Sequence, residues 1–201
     1  MRLAEADRRL LRLFLACVLG RWDEARRQRY EAGPGEPDRR WREAVLQVHL
    51  FAGVPRQVEA CAVLEAAGGL GKPDADETES AVLDLGSRGR ALFERIYQQD
   101  SAAVRAMLER AHPDFARWVE QHAYGRVLSR SGLPADRREL LAVVALAALG
   151  QERQLASHAR GSLRCGASPA ELSEALDAVA DLIEPGRLED ARRLVARLPT
   201  S

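Results

Sequence analysis

The chain has 201 residues, enough to enclose a sizeable hydrophobic core. Its 30 basic and 30 acidic residues give a formal net charge of +0, so no overall charge bias favours nucleic acid or an anionic membrane as a partner. The longest apolar run, Leu140 to Leu149, is too short to span a bilayer, and the charged start MRLAEADRRL is untypical of a secretory signal, so we expect a cytoplasmic protein without a membrane partner.

The first two thirds of the chain favour helices separated by one loop. The apolar run RRLLRLFLACVLG is predicted to be a helix that ends at Gly20, because glycine adopts the left-handed conformation found after helices. The stretch GGLGKPDADETES, rich in Gly, Pro and acids, predicts a linker or loop. We predict helices after it near Ala81 to Gln98 and near Ser101 to Arg110, followed by the helical segment HPDFARWVEQHAYGRVLSRSGLP.

The last third carries clear helix boundaries. The run RRELLAVVALAALG is predicted to end at Gly150, and the helix after it at Gly166. In the sequence SPAE, Ser168 is the expected N-cap and Pro169 the first helical residue. The side chain of Glu171 is expected to bond back to the backbone N–H of Ser168, which completes a capping box. Since no segment shows sustained alternation of apolar and polar residues, we predict an all-α fold, a helical bundle.

The chain also resembles itself. The segment RRLLRLFLACVLGRWDEARRQRY aligns with RRELLAVVALAALGQERQLASHAR, so that Gly20 matches Gly150, and WREAVLQVHLFAGVPRQVEACAV lies against ELSEALDAVADLIEPGRLEDARRL. Two helical hairpins of one design, neither able to bury its own apolar face, are expected to pack on each other. We therefore predict an N-terminal repeat over 1–70, a linker over 71–80 and a second helical region over 81–201, all packed as one globular unit.

One acid and one imidazole stand out in the second hairpin. Gln151, Gln154 and His158 share a helical face, and the turn at Gly150 brings the preceding helix back alongside them. Along the axis, Glu139 and His158 then differ in level by only about 4 to 5 Å. A Glu–His contact would fix the imidazole tautomer and tune its pKa for proton transfer. The alternative is that Glu139 serves only the helix dipole and that His158 is a surface residue.

Several spaced elements together resemble a known family. They are SRGRALFERIY, the YG-x-V-x-SR-x-GL stretch, the Arg-Glu-Leu helix start, the histidine and the Gly-x-x-x-x-Glu-Leu closing motif. In this order, from about Gly86 to Leu176, they resemble the carboxymuconolactone decarboxylase family, which is related to the alkylhydroperoxidase D proteins. The resemblance implies a helical bundle of the alkylhydroperoxidase D-like type, here built from two related repeats.

In the peroxidase branch of this family, a glutamate and a histidine accompany two cysteines. The resemblance places that glutamate at Glu139 and that histidine at His158, but Gln151 and Gln154 occupy the cysteine positions. Because a carboxamide can neither attack peroxide nor close a disulfide, peroxidase activity is the least expected reading. The first repeat has a different residue at each of the four positions and is expected to be a degenerate partner; these residues are Arg9, Arg21, Glu24 and Gln28.

The resemblance then implies decarboxylation, or related proton transfer, of a small carboxylated lactone without a metal or organic cofactor. His158, oriented by Glu139, is the expected acid. An anionic substrate needs a cation, for which Arg130 and Arg88 are candidates. Because arginine is abundant in the chain, an ordinary surface or interhelical ion pair is the more expected role for each of them. The further candidates for lining the substrate pocket, each also readable as a packing or surface residue, are Tyr124, Gln151, Gln154 and His49.

Three other expectations concern the alternative function, the cysteines and the oligomeric state. The alternative function is a catalytically silent oligomer of helical subunits that binds a ligand or a partner. The three cysteines, Cys17, Cys61 and Cys165, are far apart in sequence and predict neither a disulfide framework nor a zinc site. Since family members assemble into rings, a homo-oligomer is expected, with a trimer favoured and a dimer or hexamer possible.

Overall fold

The structure is a computed structural model that describes residues 2–32, 36, 38–78 and 84–198. Over these residues the chain forms α-helices, one π-helix and short 3₁₀ turns, without a β-strand, which confirms the all-α prediction. No helix of the described segments combines the length and apolarity needed to cross a bilayer. The helices are α1 Glu5–Leu19, α2 Trp22–Tyr30, α3 Asp38–Gln47, α4 His49–Ala66, α5 Leu85–Tyr97, α6 Ser101–Ala111, α7 Pro113–Trp118, the π-helix Val119–Leu128, α8 Ala135–Leu149, α9 Glu152–Cys165, α10 Pro169–Ala178 and α11 Pro185–Ala196.

Helix α8 lies at the centre of the fold. Every residue from Arg138 to Ala148 is buried, because α1, α4, α9, α10 and α11 all pack around it. Its sequence is apolar on nearly every side, as expected for a helix without a solvent-facing stripe. Helix α1 packs directly on α8, so the apolar cores of the two hairpins are continuous.

The predicted helix ends are confirmed. Gly20 (φ 71°) and Gly150 (φ 68°) both adopt the left-handed conformation and donate their backbone N–H groups to carbonyls of the last helical turn. Gly166 ends α9 in the same way at φ 118°. Ser168 and Glu171 form the expected capping box at the start of α10.

The predicted loop is partly described. Residues 71–78 lie between α4 and the later helices and contain a 3₁₀ turn, Ala75–Glu77, whose buried Glu77 forms an ion pair with Arg42. Residues 79–80 of this loop, and 81–83 at the predicted start of the next helix, lie outside the described residues.

Two glycines allow the π-helix to cross α5 closely. A Cβ atom added at Gly89 would lie 1.9 Å from the backbone oxygen of Glu120, and one added at Gly125 would lie 2.1 Å from that of Leu85. Only hydrogen fits at either position. The sequence predicts a helix in this region but not its π form, which is rare and often found at functional sites. The crossing fixes Tyr124 of the π-helix against the aromatic side chains of α5.

Candidate functional site

The helix pair α8–α9 brings together the acid and the imidazole. Nδ1 of His158 lies 2.9 Å from Oε2 of Glu139, across the hairpin. The Glu139 side chain is 1% exposed and that of His158 is 13% exposed, so the carboxylate is enclosed while the imidazole keeps some access to solvent. Gly161 makes the approach possible, because a Cβ atom there would stand 2.5 Å from Oε2 of Glu139.

The pair is arranged for proton transfer. Burial alone would lower the pKa of His158, but the charge of Glu139 and the hydrogen bond to it outweigh burial, so the pKa lies above its ordinary value. With Nδ1–H donated to the carboxylate, Nε2 is the nitrogen that exchanges a proton with another molecule. The raised pKa favours the imidazolium form, an acid held in one orientation.

Two tyrosines stand beside this pair. The Tyr124 hydroxyl donates a hydrogen bond to the Tyr97 hydroxyl at 3.0 Å, and both rings pack against Phe93. Burial raises the pKa of both tyrosines, and the negative charge of Glu139 raises them further. Both hydroxyls are therefore protonated donors at neutral pH. Tyr124 thus packs in the aromatic cluster, with its hydroxyl bound to that of Tyr97.

Helix α5 runs antiparallel to α9, and this packing determines which residue of α9 lies beside each residue of α5. Arg95 donates to the carbonyl of Cys165 at 3.1 Å, and Arg164 donates to the carbonyl of Ile96 at 2.6 Å. Tyr97, which follows Ile96 at the end of α5, lines a cavity of about 350 Å³ together with Ser157, the residue before His158. This cavity is called the α6 cavity here, and it is lined by Tyr97, Asp100, Ala103, Val104, Met107, Ser157, Arg160 and Arg164.

A second opening, the α5 cleft, has a volume of about 650 Å³ and contains both arginines expected from the sequence, Arg88 and Arg130. Its wall also includes Arg95, whose contact with Cys165 places the cleft at the C-terminal end of α9. His158 lies seven residues earlier on α9, about 10 Å along the helix axis. The structure thus brings Arg88 and Arg130 together, but not beside His158.

Arg130 is also part of a buried ion network. It makes a two-pronged contact with Glu43, at 2.9 and 2.8 Å, and Arg138 donates to the same carboxylate at 2.6 Å. Glu43 is fully buried and Arg138 is 1% exposed. Arg88, in contrast, donates to the carbonyl of Ser129 at 2.9 Å. Glu43 of α3 therefore binds both Arg138 of α8 and Arg130 in the segment before α8. Among the described residues, Arg88 is instead oriented by a backbone carbonyl.

Gln151 and Gln154, which the resemblance aligns with the two cysteines, are exposed. Gln151 is the residue before α9, and Gln154 lies on its first turn, four residues before His158. All three cysteines are free. Burial raises the pKa of Cys17 to about 12, and burial with the charge of Glu139 raises that of Cys165 to about 11. Buried thiols with such pKa values are poor nucleophiles at neutral pH.

His49 contacts a second histidine. Its Nε2 faces Nε2 of His122 at 2.7 Å, and its Nδ1 lies 2.7 Å from the carbonyl of Leu46. The sequence gives no indication of this contact between α4 and the π-helix. Among the described residues, no group of three or more His, Cys, Asp or Glu side chains is arranged to hold a metal ion.

Sequence reasoning missed three residues near the pair: Tyr97, Arg160 and Gly161. Arg160 and Gly161 follow His158 by two and three residues, but arginine is abundant throughout the chain and an internal helical glycine has no single meaning. Tyr97 comes from a different helix, so no local spacing points to it. Only the antiparallel packing of α5 on α9 reveals its place.

Comparison with known proteins supports the family resemblance over the C-terminal part. Residues 113–197 match the model of the carboxymuconolactone decarboxylase family. A 61-residue stretch is 39% identical to 4-carboxymuconolactone decarboxylase of Acinetobacter baylyi and covers 30% of this chain and 46% of that protein. A 138-residue stretch is 28% identical to Peroxisomal protein 2 of Schizosaccharomyces pombe and covers 67% of this chain and 64% of that protein. The chain thus matches each relative over less than two thirds of its length, and the matched family segment contains α8, α9 and the pair Glu139–His158.

Proposed function

We propose that this protein, whose residues 113–197 match the carboxymuconolactone decarboxylase family, catalyses cofactor-free decarboxylation or related proton transfer on a small carboxylated lactone. The observation that carries the proposal is the 2.9 Å contact between Glu139 and His158. It fixes one tautomer of a partly accessible imidazole and raises the pKa of His158 toward the acid form. This is what delivery of a proton to carbon requires.

The proposed reaction is balanced without a cofactor. The bond between the ring carbon and the carboxyl carbon breaks, CO₂ leaves, and the electron pair moves into the conjugated carbonyl as an enolate. The imidazolium of His158 then gives the proton at Nε2 to carbon, and the neutral imidazole takes up a proton from solvent. Glu139 stabilises the charged imidazole and keeps Nδ1 protonated throughout.

The name of one relative supports the class of substrate. The name of the Acinetobacter protein contains 4-carboxymuconolactone, which makes that compound the first one to test. A homo-oligomer, with a trimer favoured, and a cytoplasmic location stay predictions from the sequence. So do the substrate contacts expected of Tyr124, Gln151, Gln154 and His49.

The test is turnover of 4-carboxymuconolactone, followed by the loss of its absorbance and by CO₂ release. We expect Glu139→Gln and His158→Ala each to lower kcat by about 10²- to 10⁴-fold, the range of general acid–base catalysis. Circular dichroism of both variants checks that the helical fold is kept. Turnover that survives both substitutions rejects the proposed acid.

One observation favours a second candidate, binding of an anionic ligand without turnover. The α5 cleft, with Arg88 and Arg130, is larger than the α6 cavity and lies about 10 Å from His158 along α9. Under this reading the cleft holds the ligand and the acid–imidazole pair is only structural. Binding of 4-carboxymuconolactone that is lost in Arg88→Gln and unaffected by His158→Ala, with no turnover, supports it.

Thiol peroxidase chemistry has less support. Gln151 and Gln154 occupy the positions of the attacking and resolving cysteines, and burial raises the pKa of both Cys17 and Cys165 well above neutrality. A peroxidase needs a thiolate at the site of attack. The expected result is no consumption of hydrogen peroxide or an organic hydroperoxide in the presence of a dithiol.

A further inference from the structure

The position of Tyr97 relates the α6 cavity to the catalytic pair. A Cβ atom added at Gly161 would lie 2.9 Å from Cγ2 of Ile96, so the C-terminal end of α5 packs against the turn of α9 that follows His158. Tyr97, the residue after Ile96, lines the α6 cavity together with Ser157 and Arg160, which come one residue before and two residues after His158, and its hydroxyl feels the charge of Glu139. The α6 cavity therefore borders the part of α9 that carries His158, with Tyr97 between the cavity and the acid–imidazole pair, whereas the α5 cleft lies near Cys165.

The hydroxyl of Tyr97 is prepared to donate. Tyr124 is 3% exposed, and among the described side chains its hydroxyl has Tyr97 as its hydrogen-bond partner. If Tyr97 were the donor of the pair, the proton of Tyr124 would be buried without an acceptor, which is costly. Tyr124 therefore donates, and Tyr97 keeps its own proton for another group. Accepting one hydrogen bond makes a hydroxyl a stronger donor of the next.

One cation in the α6 cavity is uncommitted. Arg164 is held by the carbonyl of Ile96 at 2.6 Å and by Asp100 at 3.9 Å. Within the described segments, the Arg160 guanidinium makes no hydrogen bond or ion pair, although it lines the cavity. The cavity thus offers one planar, permanently charged group that fits a carboxylate.

We propose that the α6 cavity is the substrate pocket of the His158 site, in which Arg160 binds a carboxylate and Tyr97 donates a hydrogen bond to a carbonyl oxygen. This rests on the proposed function and assigns its substrate contacts to residues other than Arg88 and Arg130. Tyr124 acts as a positioning residue through Tyr97. The volume of about 350 Å³ suits a ligand of one or two small rings.

The two contacts define the substrate class. A molecule that meets both carries a carboxylate and, across a short conjugated frame, a carbonyl oxygen that becomes negative when CO₂ leaves. Tyr97 stabilises that developing oxyanion, because its donated hydrogen bond strengthens as the charge grows. Arg160 binds a carboxylate that stays on the product, since a cation on the departing one would stabilise the ground state instead. Under the proposed function, Arg160 therefore binds a carboxylate of the lactone that is retained, and not the one that leaves as CO₂.

The experiment measures ligand binding separately from turnover. The probe is coumalate, a planar unsaturated lactone with one carboxylate, titrated calorimetrically into the full chain. We expect Arg160→Gln to weaken binding by about tenfold or more, as for a hydrogen bond to a charged group, and Tyr97→Phe to weaken it by about fivefold. Arg88→Gln, in the α5 cleft, is the matched control and is expected to change the Kd by less than about twofold.

The outcomes separate this inference from the proposed function. Coumalate binding with the expected pattern, together with no turnover of 4-carboxymuconolactone, keeps the pocket and rejects the decarboxylase. Binding that depends on Arg88 and not on Arg160 overturns the pocket, and so does the absence of wild-type binding at millimolar coumalate. Because Arg160 is only partly buried and unpaired, its replacement is not expected to unfold the chain.

The positioning role of Tyr124 has its own readout. If Tyr124 acts through Tyr97, Tyr124→Phe lowers kcat but adds nothing in the background of Tyr97→Phe, where kcat is already about 10²-fold down. A purely structural contribution of Tyr124 would lower kcat by the same factor in both backgrounds. That additive result would remove Tyr124 from the proposal.

Discussion

The hairpins α1–α2 and α8–α9 have the same backbone turn but different chemistry across it. Gly20 (φ 71°, ψ 29°) and Gly150 (φ 68°, ψ 31°) are nearly superimposable in conformation, as are Arg21 (φ −84°, ψ 72°) and Gln151 (φ −97°, ψ 67°) after them. The turn therefore depends on glycine and helix packing, and it tolerates entirely different side chains.

What crosses each hairpin is an ion pair of a different kind. In α1–α2, Arg12 donates to Glu24 at 2.7 Å, and Gln28, the counterpart of His158, donates to the same carboxylate at 3.0 Å. Arg9, the counterpart of Glu139, instead donates to Glu36. Guanidinium keeps its charge at any ordinary pH, so the first hairpin cannot deliver a proton near neutrality. The second hairpin, with an imidazole in its pair, can.

The largest predicted difference between the hairpins is in activity. His158→Ala is expected to lower turnover of 4-carboxymuconolactone by about 10²- to 10⁴-fold, because the acid is gone. The equivalent change in the first hairpin, Gln28→Ala, removes a buried side chain and its hydrogen bond to Glu24, costs about 1 to 3 kcal/mol of unfolding free energy and leaves kcat unchanged. Steady-state kinetics and urea unfolding of both variants check this. Equal losses of activity would mean that the two hairpins share one catalytic task.

Gly161 provides the second contrast. A methyl group there would stand 2.5 Å from Oε2 of Glu139 and 2.9 Å from Cγ2 of Ile96, so Gly161→Ala must displace the carboxylate. We expect kcat to fall by about 10- to 100-fold and the unfolding free energy by about 1 to 3 kcal/mol. Its counterpart at the end of α2 is the exposed Glu31, and Glu31→Ala is the matched control, expected to leave both quantities unchanged. An active Gly161→Ala variant would show that the exact position of Glu139 is unimportant.

In the third contrast, a substitution in the first hairpin is expected to affect stability and not activity. Arg12 binds Glu24, Asp181 and the carbonyl of Ala178, and so joins the first hairpin to α10 and to the turn that follows it. Arg12→Gln is expected to lower the unfolding free energy by about 2 kcal/mol, as for loss of partly buried charged hydrogen bonds, with kcat unchanged. Arg26→Gln is the control, because its partner Asp23 is fully exposed and such pairs contribute little. A fall in kcat for Arg12→Gln would link the first hairpin to the reaction.

The sequence predicts those features that depend on residues close together in the chain. The glycine ends and the capping box at Ser168 depend on neighbouring residues, so the sequence predicts them, and the Glu139–His158 contact follows from counting residues on either side of one turn. Tyr97 reaches the same site from α5 through packing between distant segments, which no spacing encodes. The close crossing of α5 and the π-helix at Gly89 and Gly125 likewise joins segments distant in sequence, and the sequence gives no signal for the π form.

The same limit explains why the sequence does not distinguish arginines in ion pairs from unpaired ones. Arg88 and Arg130 are sequence candidates because they lie in the motifs on which the resemblance rests, yet the structure places them in the α5 cleft and commits Arg130 to Glu43. Arg160 lies outside those motifs but within two residues of His158. With so many arginines in one chain, residue type alone cannot tell a structural cation from an unpaired one; the difference lies in which carboxylates the fold brings near.

The smallest predicted contrast is the pH dependence of stability. The pKa of His158 is raised in the folded protein, so the stability that its pair with Glu139 contributes is fully present below the ordinary histidine pKa and is lost as the pH rises through the raised value. For Glu24, burial alone would raise the pKa, but hydrogen bonds from Arg27 and Arg12 outweigh burial and lower it. The Glu24 contribution is therefore present above the ordinary glutamate pKa and is lost only as the pH falls through the lowered value.

Unfolding free energies measured from pH 3 to 9 separate the two hairpins. We expect His158→Gln to abolish the loss of stability above about pH 6.5, the ordinary histidine pKa, and to leave the acid limb unchanged. Glu24→Gln should reduce the acid limb alone.

The kcat of the wild type should fall over the same alkaline range in which the His158 contribution to stability is lost, since one proton governs both. If kcat instead falls at a different alkaline pH from the loss of stability, His158 is not the group whose proton the reaction uses.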